Sequence, residues 1–272
     1  MKMKIIIALI VLVLALNTMG YAGFQLAKTE QVYQEGSTAY QELSEKVRGT
    51  APVELQAPQG SMENESASSS SSVNSEAPEK EKVYIPDIGV NFDTLNSISE
   101  NAAAWLYSPG TPIDYPVMQA DDYSYYLYHL ADGTLNVNGS IFIDYNTPSD
   151  FSGDLTVLYG HHMKSGEMMF GSLEGYKKQE YYKEHPYMYL YTENENYRID
   201  ILYGFTIGAG QWRDRAFMYG VNAGDLLSYA EQNTTFKSDA EYKEGDRIVA
   251  MSTCSYDFDG ARYVVIGILR GN

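Results

Sequence analysis

From about Val83 to Asn272 the chain consists largely of short apolar runs separated by turn residues. The runs are rich in Val, Ile, Tyr and Phe, which favour strands over helices. They are Ile141–Tyr145, Leu155–Tyr159, Tyr187–Tyr191, Tyr197–Phe205, Arg247–Thr253 and Arg262–Leu269. Many short strands with few helices predict a mainly β fold, a closed or nearly closed barrel with helical insertions.

Two stretches of this region instead have helical spacing. Ser97–Tyr107 carries apolar residues at helix-like intervals. In Ala223–Gln232, three apolar side chains (Leu226, Leu227 and Ala230) recur on one helical face. We therefore predict an early helical segment and a second helix inserted in a late connection between strands.

The amino terminus carries a targeting signal. Two lysines precede the uninterrupted apolar run Ile5–Leu16, and weaker apolar character continues to Phe24. Basic residues before such a run orient the amino terminus to the cytoplasm and the rest of the chain outside. Residues 1–27 are therefore predicted to be a cytoplasmic start and a single-pass membrane anchor. A cleaved signal peptide, with Gly20–Ala22 as a poor cleavage site, is the alternative.

Residues 28–82 differ in composition from both neighbours. Gln31–Arg48 is polar with scattered apolar residues, which fits a short helix or stalk. Ala51–Lys82 is rich in Pro, Gln and Glu, contains the Ser68–Ser72 tract, and has almost no apolar side chains. Such a segment cannot bury enough surface to fold, so we predict a disordered extracellular linker. The folded domain is then residues 83–272.

The charge balance excludes one class of partner. The formal net charge is −17, whereas binding a phosphate backbone requires clustered Lys and Arg. No nucleic-acid partner is expected. The acidic residues are scattered along the chain, and we predict neither a metal site nor another cofactor.

Cys254 is the single cysteine of the chain. In an exported protein it has no intramolecular disulfide partner, so it is either inert and buried or present for its thiol chemistry. Free cysteines are among the most buried residue types, so the count alone leaves both interpretations open.

A reactive cysteine needs an imidazole or a guanidinium within reach, because the thiolate is the nucleophile. His161 and His162 follow the run Leu155–Tyr159 and Gly160, where a loop can present a side chain at a barrel rim. Most histidines at strand ends are ordinary surface residues. The positions of His161 and His162 therefore suggest a role without establishing one, and His129 and His185 stay in the surface class.

Arg262 begins the strand that follows the cysteine. Cys254 closes one strand, Asp257–Gly260 forms a turn, and the next strand starts at Arg262. A hairpin would bring the two side chains to the same end of a strand pair, where a guanidinium can stabilise a thiolate or an oxyanion. The spacing fits equally well an Arg262 that simply pairs with Asp257 or Asp259.

An ordered set of motifs resembles the class B sortases. The motifs are Gly110–Val117, Tyr125–Leu127, Gly139–Phe142, Tyr159–Met163, Met169–Leu173, Ser252–Tyr256 and Arg262. They occur in the family's order and at similar spacing over nearly all of residues 105–270. The resemblance implies a closed eight-stranded sortase-type β-barrel with an N-terminal helical segment. It also implies a Gram-positive cysteine transpeptidase, a thiol protease-like enzyme that anchors proteins to the cell wall.

The resemblance also implies roles for individual residues. His161, directly after the glycine of the strand-end motif, corresponds to the family's catalytic histidine, and His162 to its non-catalytic neighbour. Cys254 corresponds to the nucleophile and Arg262 to the essential arginine. Ser252 and, more weakly, Leu127 match positions that line the family's substrate groove.

The implied reaction joins two partners. Cys254 would cleave a C-terminal sorting signal of a secreted protein after Thr, forming a thioester. The acyl group would then pass to a peptidoglycan precursor amine, in lipid II or a cross-bridge, on the outer face of the membrane. The alternatives are a cysteine peptidase that hydrolyses the thioester, and a pilus-assembling sortase that uses a pilin Lys. A sortase-like binding domain without activity is the non-enzymatic alternative.

Overall fold

The computed structural model describes residues 2–49, 83–163, 168–216 and 223–271, without the side chains of residues 2, 4–11, 13, 215 and 216. The barrel strands are β1 (Ala102–Tyr107), β2 (Asp114–Met118), β3 (Ile141–Ile143), β4 (Leu155–Tyr159), β5 (Tyr187–Tyr191), β6 (Asn196–Gly208), β7 (Ile248–Cys254) and β8 (Ala261–Gly271). The helices are α1 (Lys2–Arg48), α2 (Phe92–Ile98), α3 (Tyr125–Tyr128), α4 (Gln179–Glu184), α5 (Ala209–Ala216) and α6 (Ala223–Asn233), with a 3₁₀-helix at Gly171–Lys177.

The eight strands close into one barrel in the order β1-β2-β3-β4-β7-β8-β6-β5. The β2–β3 and β4–β7 pairs are parallel, and the other pairs are antiparallel. Closure leaves no unpaired sheet edge in the barrel that these described strands form. The predicted closed eight-stranded barrel with an N-terminal helix and a late inserted helix is therefore confirmed.

Two apolar clusters use the two faces of the strands. In β7, Val249 and Met251 belong to the larger cluster, whereas Ile248 and Ala250 belong to the second. This alternation follows from the two-residue period of a strand. The second cluster includes Leu226 of α6. This helix lies between β6 and β7 in the chain, where the spacing of apolar residues predicted a helix. β7 is thus buried on both sides, which holds it rigidly.

One predicted helix is wrong. Residues 97–107, predicted as a helix, form the end of α2 and then β1, which pairs with β2 and β5. Ala104, Trp105 and Leu106 are fully buried. Because successive side chains of a strand point to opposite faces, both faces of β1 are covered. The three consecutive alanines favour a helix locally, but burial between two neighbouring strands outweighs that weak preference.

The carboxyl-terminal half of α1 packs against the barrel. Tyr40, Leu43 and Val47 are buried in the larger apolar cluster. The Val47 carbonyl accepts a 3.0 Å hydrogen bond from the Asn91 amide, and Arg48 forms an ion pair with Asp114. The carboxyl-terminal half of α1 is therefore docked against the barrel by apolar packing, a hydrogen bond and an ion pair.

Part of the predicted layout lies outside the described residues. This applies to the Ser-rich linker up to residue 82 and to most side chains of the apolar run in the predicted anchor, residues 1–27. Within the described part, no helix combines the length and the apolar character needed to cross a membrane. The boundaries at residues 27 and 82 stay predictions.

Candidate active site

The parallel pairing of β4 with β7 brings the carboxyl-terminal ends of these two strands together. Tyr159 lies opposite Ser252 in this pair. Beyond it, the Gly160 amide donates to the Ser252 carbonyl at 3.2 Å, and the Thr253 hydroxyl donates to the Gly160 carbonyl at 2.8 Å. Gly160 is thus bound to β7 through both its amide and its carbonyl, and His161 follows it directly.

The antiparallel β7–β8 pair sets the position of the thiol. Cys254 lies directly opposite Arg262 in the register. The Ser255 amide donates to the Ala261 carbonyl at 3.0 Å and closes the turn just beyond them. Cys254 is a free, half-buried thiol. The hairpin predicted from the sequence therefore does bring the cysteine and the arginine to one end of a strand pair.

Gly160 is required by close packing. A Cβ atom at this position would lie 2.7 Å from the ring of Phe170, which is fully buried. The Phe170 amide in turn donates to the His161 carbonyl at 3.0 Å. The Gly-His order of the motif thus has a steric cause, because Phe170 fills the space where another side chain would begin.

The ring of His161 is held from outside the sheet. Its Nε2 atom lies 2.8 Å from the carbonyl oxygen of Leu127, in the short helix α3. A carbonyl can only accept, so Nε2 carries the proton in this hydrogen bond. Leu127, predicted to line the substrate groove, therefore also orients the histidine through its backbone.

An open cleft of about 610 Å³ joins these residues. All five residues predicted from the sequence lie in its lining, although Ser252 is only 2% exposed. The lining consists of Tyr123, Leu127, Phe142, Tyr145, Asn146, Tyr159, Gly160, His161, Ala209, Trp212, Arg213, Ser252, Thr253, Cys254 and Arg262. His129 and His185 are not part of it.

His162 contacts the backbone of β7 at Cys254, a contact that its sequence position did not reveal. Its Nδ1 lies 3.0 Å from the carbonyl oxygen of Cys254. The Tyr256 hydroxyl donates to the His162 carbonyl at 3.0 Å, and the two rings are 4.8 Å apart. His162 therefore ties the end of β4 to the residue that carries the thiol.

Of the two alternative partners predicted for Arg262, Asp257 and Asp259, the first is engaged elsewhere. The Asp257 carboxylate accepts from Lys177 Nζ at 2.7 Å and from the Thr206 hydroxyl at 2.8 Å. The hydrogen bond from Lys177 lowers the pKa of Asp257 below its ordinary value. The Arg262 guanidinium donates to the Ala261 carbonyl at 3.0 Å. These contacts favour an Arg262 that is available to the cleft.

Sequence reasoning missed a buried carboxylate beneath the cleft. Asp144 is 1% exposed and follows β3 directly. It accepts hydrogen bonds from the hydroxyls of Tyr123 and Tyr159, at 3.1–3.2 Å, and from the Asn146 amide at 2.9 Å. The signal available was an aspartate at the end of an apolar strand, but its two tyrosine partners are 21 and 15 positions away in sequence. Asp144 fixes polar groups along one wall of the cleft.

No group of three or more His, Cys, Asp or Glu side chains placed to hold a metal ion occurs among the described residues.

The known proteins that this chain resembles in sequence and in structure are sortase B enzymes. Sortase B of Listeria monocytogenes is 30% identical over 178 residues, which cover 64% of this chain and 72% of that protein. The structure of Clostridium perfringens sortase B is 28% identical with a TM-score of 0.62, covering 66% of this chain and 100% of that one. A structure of Staphylococcus aureus sortase B is 26% identical with a TM-score of 0.61, covering 66% and 84%. No family model matches the chain.

The closed barrel, the cleft and these relatives define a cysteine transpeptidase of the sortase type. More specifically, the chain belongs to the sortase B family.

Proposed function

We propose that this enzyme cleaves a C-terminal sorting signal after Thr and transfers the new carboxyl group to a peptidoglycan amine through a thioester on Cys254. The observation that carries the proposal is the register of Cys254 opposite Arg262, with His161 at the adjacent strand end and all three in one cleft. Nucleophilic catalysis by a cysteine uses a thiol with a proton carrier beside it, and a nearby cation can stabilise the oxyanion that develops.

The first half of the reaction forms the acyl-enzyme. The Cys254 thiol first gives its proton to His161, and the thiolate attacks the Thr carbonyl carbon, so that a carbon–sulfur bond forms and the carbonyl oxygen becomes an oxyanion. When the tetrahedral intermediate collapses, the carbon–nitrogen bond breaks and the leaving amine takes a proton from His161. In the second half an acceptor amine attacks the thioester, His161 removes its proton, and the thiolate is released.

The hydrogen bond of His161 assigns the nitrogen that carries this proton. Nε2 donates to the Leu127 carbonyl, so Nδ1 is the atom left to accept and donate protons in the cleft. Arg262 is proposed to stabilise the oxyanion, since a preorganised cation is most effective where charge develops. Leu127 and Ser252 are proposed to contact the bound signal.

The relatives support the kinds of substrate. Solved structures of sortase B include a substrate complex of the Staphylococcus aureus enzyme and a complex with triglycine. For this chain we propose the same two kinds of partner, a sorting-signal peptide and an amine. A peptidoglycan precursor, lipid II or a cross-bridge, is the proposed source of the amine.

We also propose that the enzyme works at the outer face of the cell membrane. Residues 1–27 would be a single-pass anchor with a cytoplasmic amino terminus, residues 28–82 an extracellular stalk and linker, and residues 83–272 the catalytic domain. The two lysines before the run Ile5–Leu16 support this orientation.

The test is a peptide-library cleavage assay with the full chain, read by mass spectrometry with and without triglycine. Sorting-signal peptides should be cut after Thr, and triglycine should appear joined to the new carboxyl group. Cys254→Ala should abolish both products. His185→Ala, a substitution outside the cleft lining, should retain them. Cleavage that persists in Cys254→Ala would refute the proposal, and hydrolysis products alone in the presence of amine would point to a peptidase.

A further inference from the structure

We propose that Tyr40 of α1 is a positioning residue for His161, acting through the loop 136–140 and the carbonyl of Leu127. This inference rests on the proposed role of His161 as the proton carrier. It gives the amino-terminal helix a function in catalysis beyond connecting the barrel to the start of the chain.

The first step of the connection joins α1 to the loop. The Tyr40 hydroxyl lies 2.8 Å from the Gly139 carbonyl oxygen and 2.7 Å from Ser140 Oγ. Two loop side chains bind α1 in return, since the Asn136 and Asn138 amides donate to backbone carbonyls of the helix at 3.1 and 3.0 Å. Tyr40 is only 4% exposed, and burial raises the pKa of its hydroxyl, which therefore stays a donor at working pH.

The second step joins the loop to α3. The Ser140 amide donates to the Tyr126 carbonyl at 2.8 Å, and the Asn136 amide donates to the Tyr128 carbonyl at 2.8 Å. These two carbonyls flank that of Leu127. The backbone of Gly139 lies close to α3, since a Cβ atom at this position would be only 2.9 Å from the Leu127 carbonyl oxygen. The loop therefore holds α3 on both sides of the group that binds His161.

The third step is the 2.8 Å hydrogen bond between that carbonyl and His161 Nε2. α3 has only four residues, too few to hold its own geometry, because isolated helices of this length are unstable. Asp122 binds the start of α3, and the loop, itself bound to α1, fixes the end of α3 that carries the Leu127 carbonyl. Without this carbonyl the proton would no longer be confined to Nε2, and Nδ1 would lose its role.

The experiment compares Tyr40→Phe with Tyr191→Phe in the full chain. Tyr191 is a matched control, because its buried hydroxyl also donates to a distant backbone carbonyl, that of Pro86, at 2.7 Å. In Tyr40→Phe the ring keeps its edge contact with Tyr115, whose centroid is 5.2 Å away. Ser140→Ala is a second break in the same connection, should Tyr40→Phe unfold.

Two readouts separate positioning from stability. We expect kcat of Tyr40→Phe and Ser140→Ala to fall about 3- to 10-fold at unchanged KM, the effect of one lost hydrogen bond, while Tyr191→Phe stays within about 2-fold. The ¹⁵N shifts of the His161 ring should show the Nε2–H tautomer in the unchanged chain and in Tyr191→Phe, but a mixture in Tyr40→Phe.

The proposal is overturned if Tyr40→Phe keeps the tautomer and kcat, or if Tyr191→Phe loses as much kcat at equal thermal stability. The tautomer measurement needs no substrate. If the enzyme fails to cut sorting signals, the proposed function fails, and the ring shifts still decide whether α1 positions His161.

Discussion

The two sides of the cleft are held in place by different means. On one side, Cys254 and Arg262 lie opposite each other in a continuous antiparallel pair, only eight positions apart in the chain. On the other side, His161 stands beyond the end of β4, and its ring is oriented by a carbonyl in α3. The Cys254 hairpin (β7, β8 and their turn) is positioned by local sheet register, whereas the histidine end (residues 160–163) depends on distant contacts.

This difference affects how each side should respond to mutation. A strand pair buried on both faces confines a substitution to the side chain that is changed. The histidine end is held by Phe170, by the Leu127 carbonyl and by the β7 backbone. A change in any one of these can move the imidazole while the barrel stays folded. The hairpin should therefore show chemical effects, and the histidine end geometric ones.

Among the substitutions that compare the two sides of the cleft, the largest effect is expected for Arg262→Lys. Lysine keeps the charge but loses the planar fork of donors. Within the described part of the chain, the hydrogen bond of the Arg262 guanidinium goes to the neighbouring Ala261 carbonyl. We expect kcat to fall about 100-fold, as when one oxyanion donor is removed, with no change in melting temperature. Steady-state kinetics and thermal unfolding measure the two quantities.

Arg270→Lys is the matched control, because Arg270 lies on the same strand and pairs with Asp246 outside the cleft lining. Its kcat should stay within about 2-fold of the unchanged enzyme, as is usual for surface substitutions. Equal losses in the two variants would mean that Arg262 supports only the strand.

Gly160→Ala tests the histidine end. Its backbone is not in the left-handed region, so the penalty is steric and comes from the Phe170 ring 2.7 Å from the new Cβ atom. We expect a loss of about 1–3 kcal/mol in unfolding free energy, typical of overpacking. We also expect kcat to fall by more than the unfolded fraction of the variant accounts for. Urea unfolding and kinetics check both.

Gly153→Ala is the control, since the nearest atom to its Cβ would be 3.7 Å away, an ordinary contact. Replacing Phe170 by Leu in the Gly160→Ala background should restore part of the stability. If Gly160→Ala were as stable and active as Gly153→Ala, close packing would not explain the Gly-His order.

The sequence could predict the hairpin side because its information is local. Two apolar runs separated by a short turn indicate a strand pair, and the pair brings Cys254 and Arg262 to one end. Six of the eight barrel strands were recognisable for the same reason. β2 was not among the predicted strands, and in β1 three alanines favoured a helix, so that only the pairing with β2 and β5 decides.

The histidine side could not be predicted in this way. The contact between His161 and Leu127 spans 34 positions, and that between His162 and Cys254 spans 92. No local pattern encodes contacts at such separations. The resemblance to a family pointed to His161 as a residue, but not to what holds its ring, and it gave His162 no role.

His162→Phe tests whether the two sides are coupled. The change removes the hydrogen bond to the Cys254 carbonyl and keeps a ring beside Tyr256. We expect kcat to fall about 3- to 10-fold, as for one lost hydrogen bond, because the strand end that carries the thiol gains freedom. Pre-steady-state measurement of acyl-enzyme formation should locate the loss in the first step.

His185→Phe is matched to it, because His185 also bonds a backbone carbonyl, that of Pro109 at 3.0 Å, and contacts a tyrosine ring, that of Tyr181. It should form the acyl-enzyme at the normal rate. If both histidine variants were slowed alike, the effect would reflect general stability and not a coupling across the cleft.

The smallest effect is expected for Asp257→Asn, which weakens the support of the hairpin turn by Lys177. The pKa of Asp257 is lowered from 3.8 in the folded enzyme by the hydrogen bond from Lys177, so the carboxylate stabilises the fold above pH 3.8 and loses this effect as the pH falls through its folded pKa. Because the pair is partly exposed, we expect a difference of about 0.2–1 kcal/mol at pH 7. Urea unfolding between pH 7 and pH 3 should show this difference shrinking below pH 3.8. A difference that instead grew on acidification would show that Asp257 does not act through its charge, and the turn would then depend on sheet register alone.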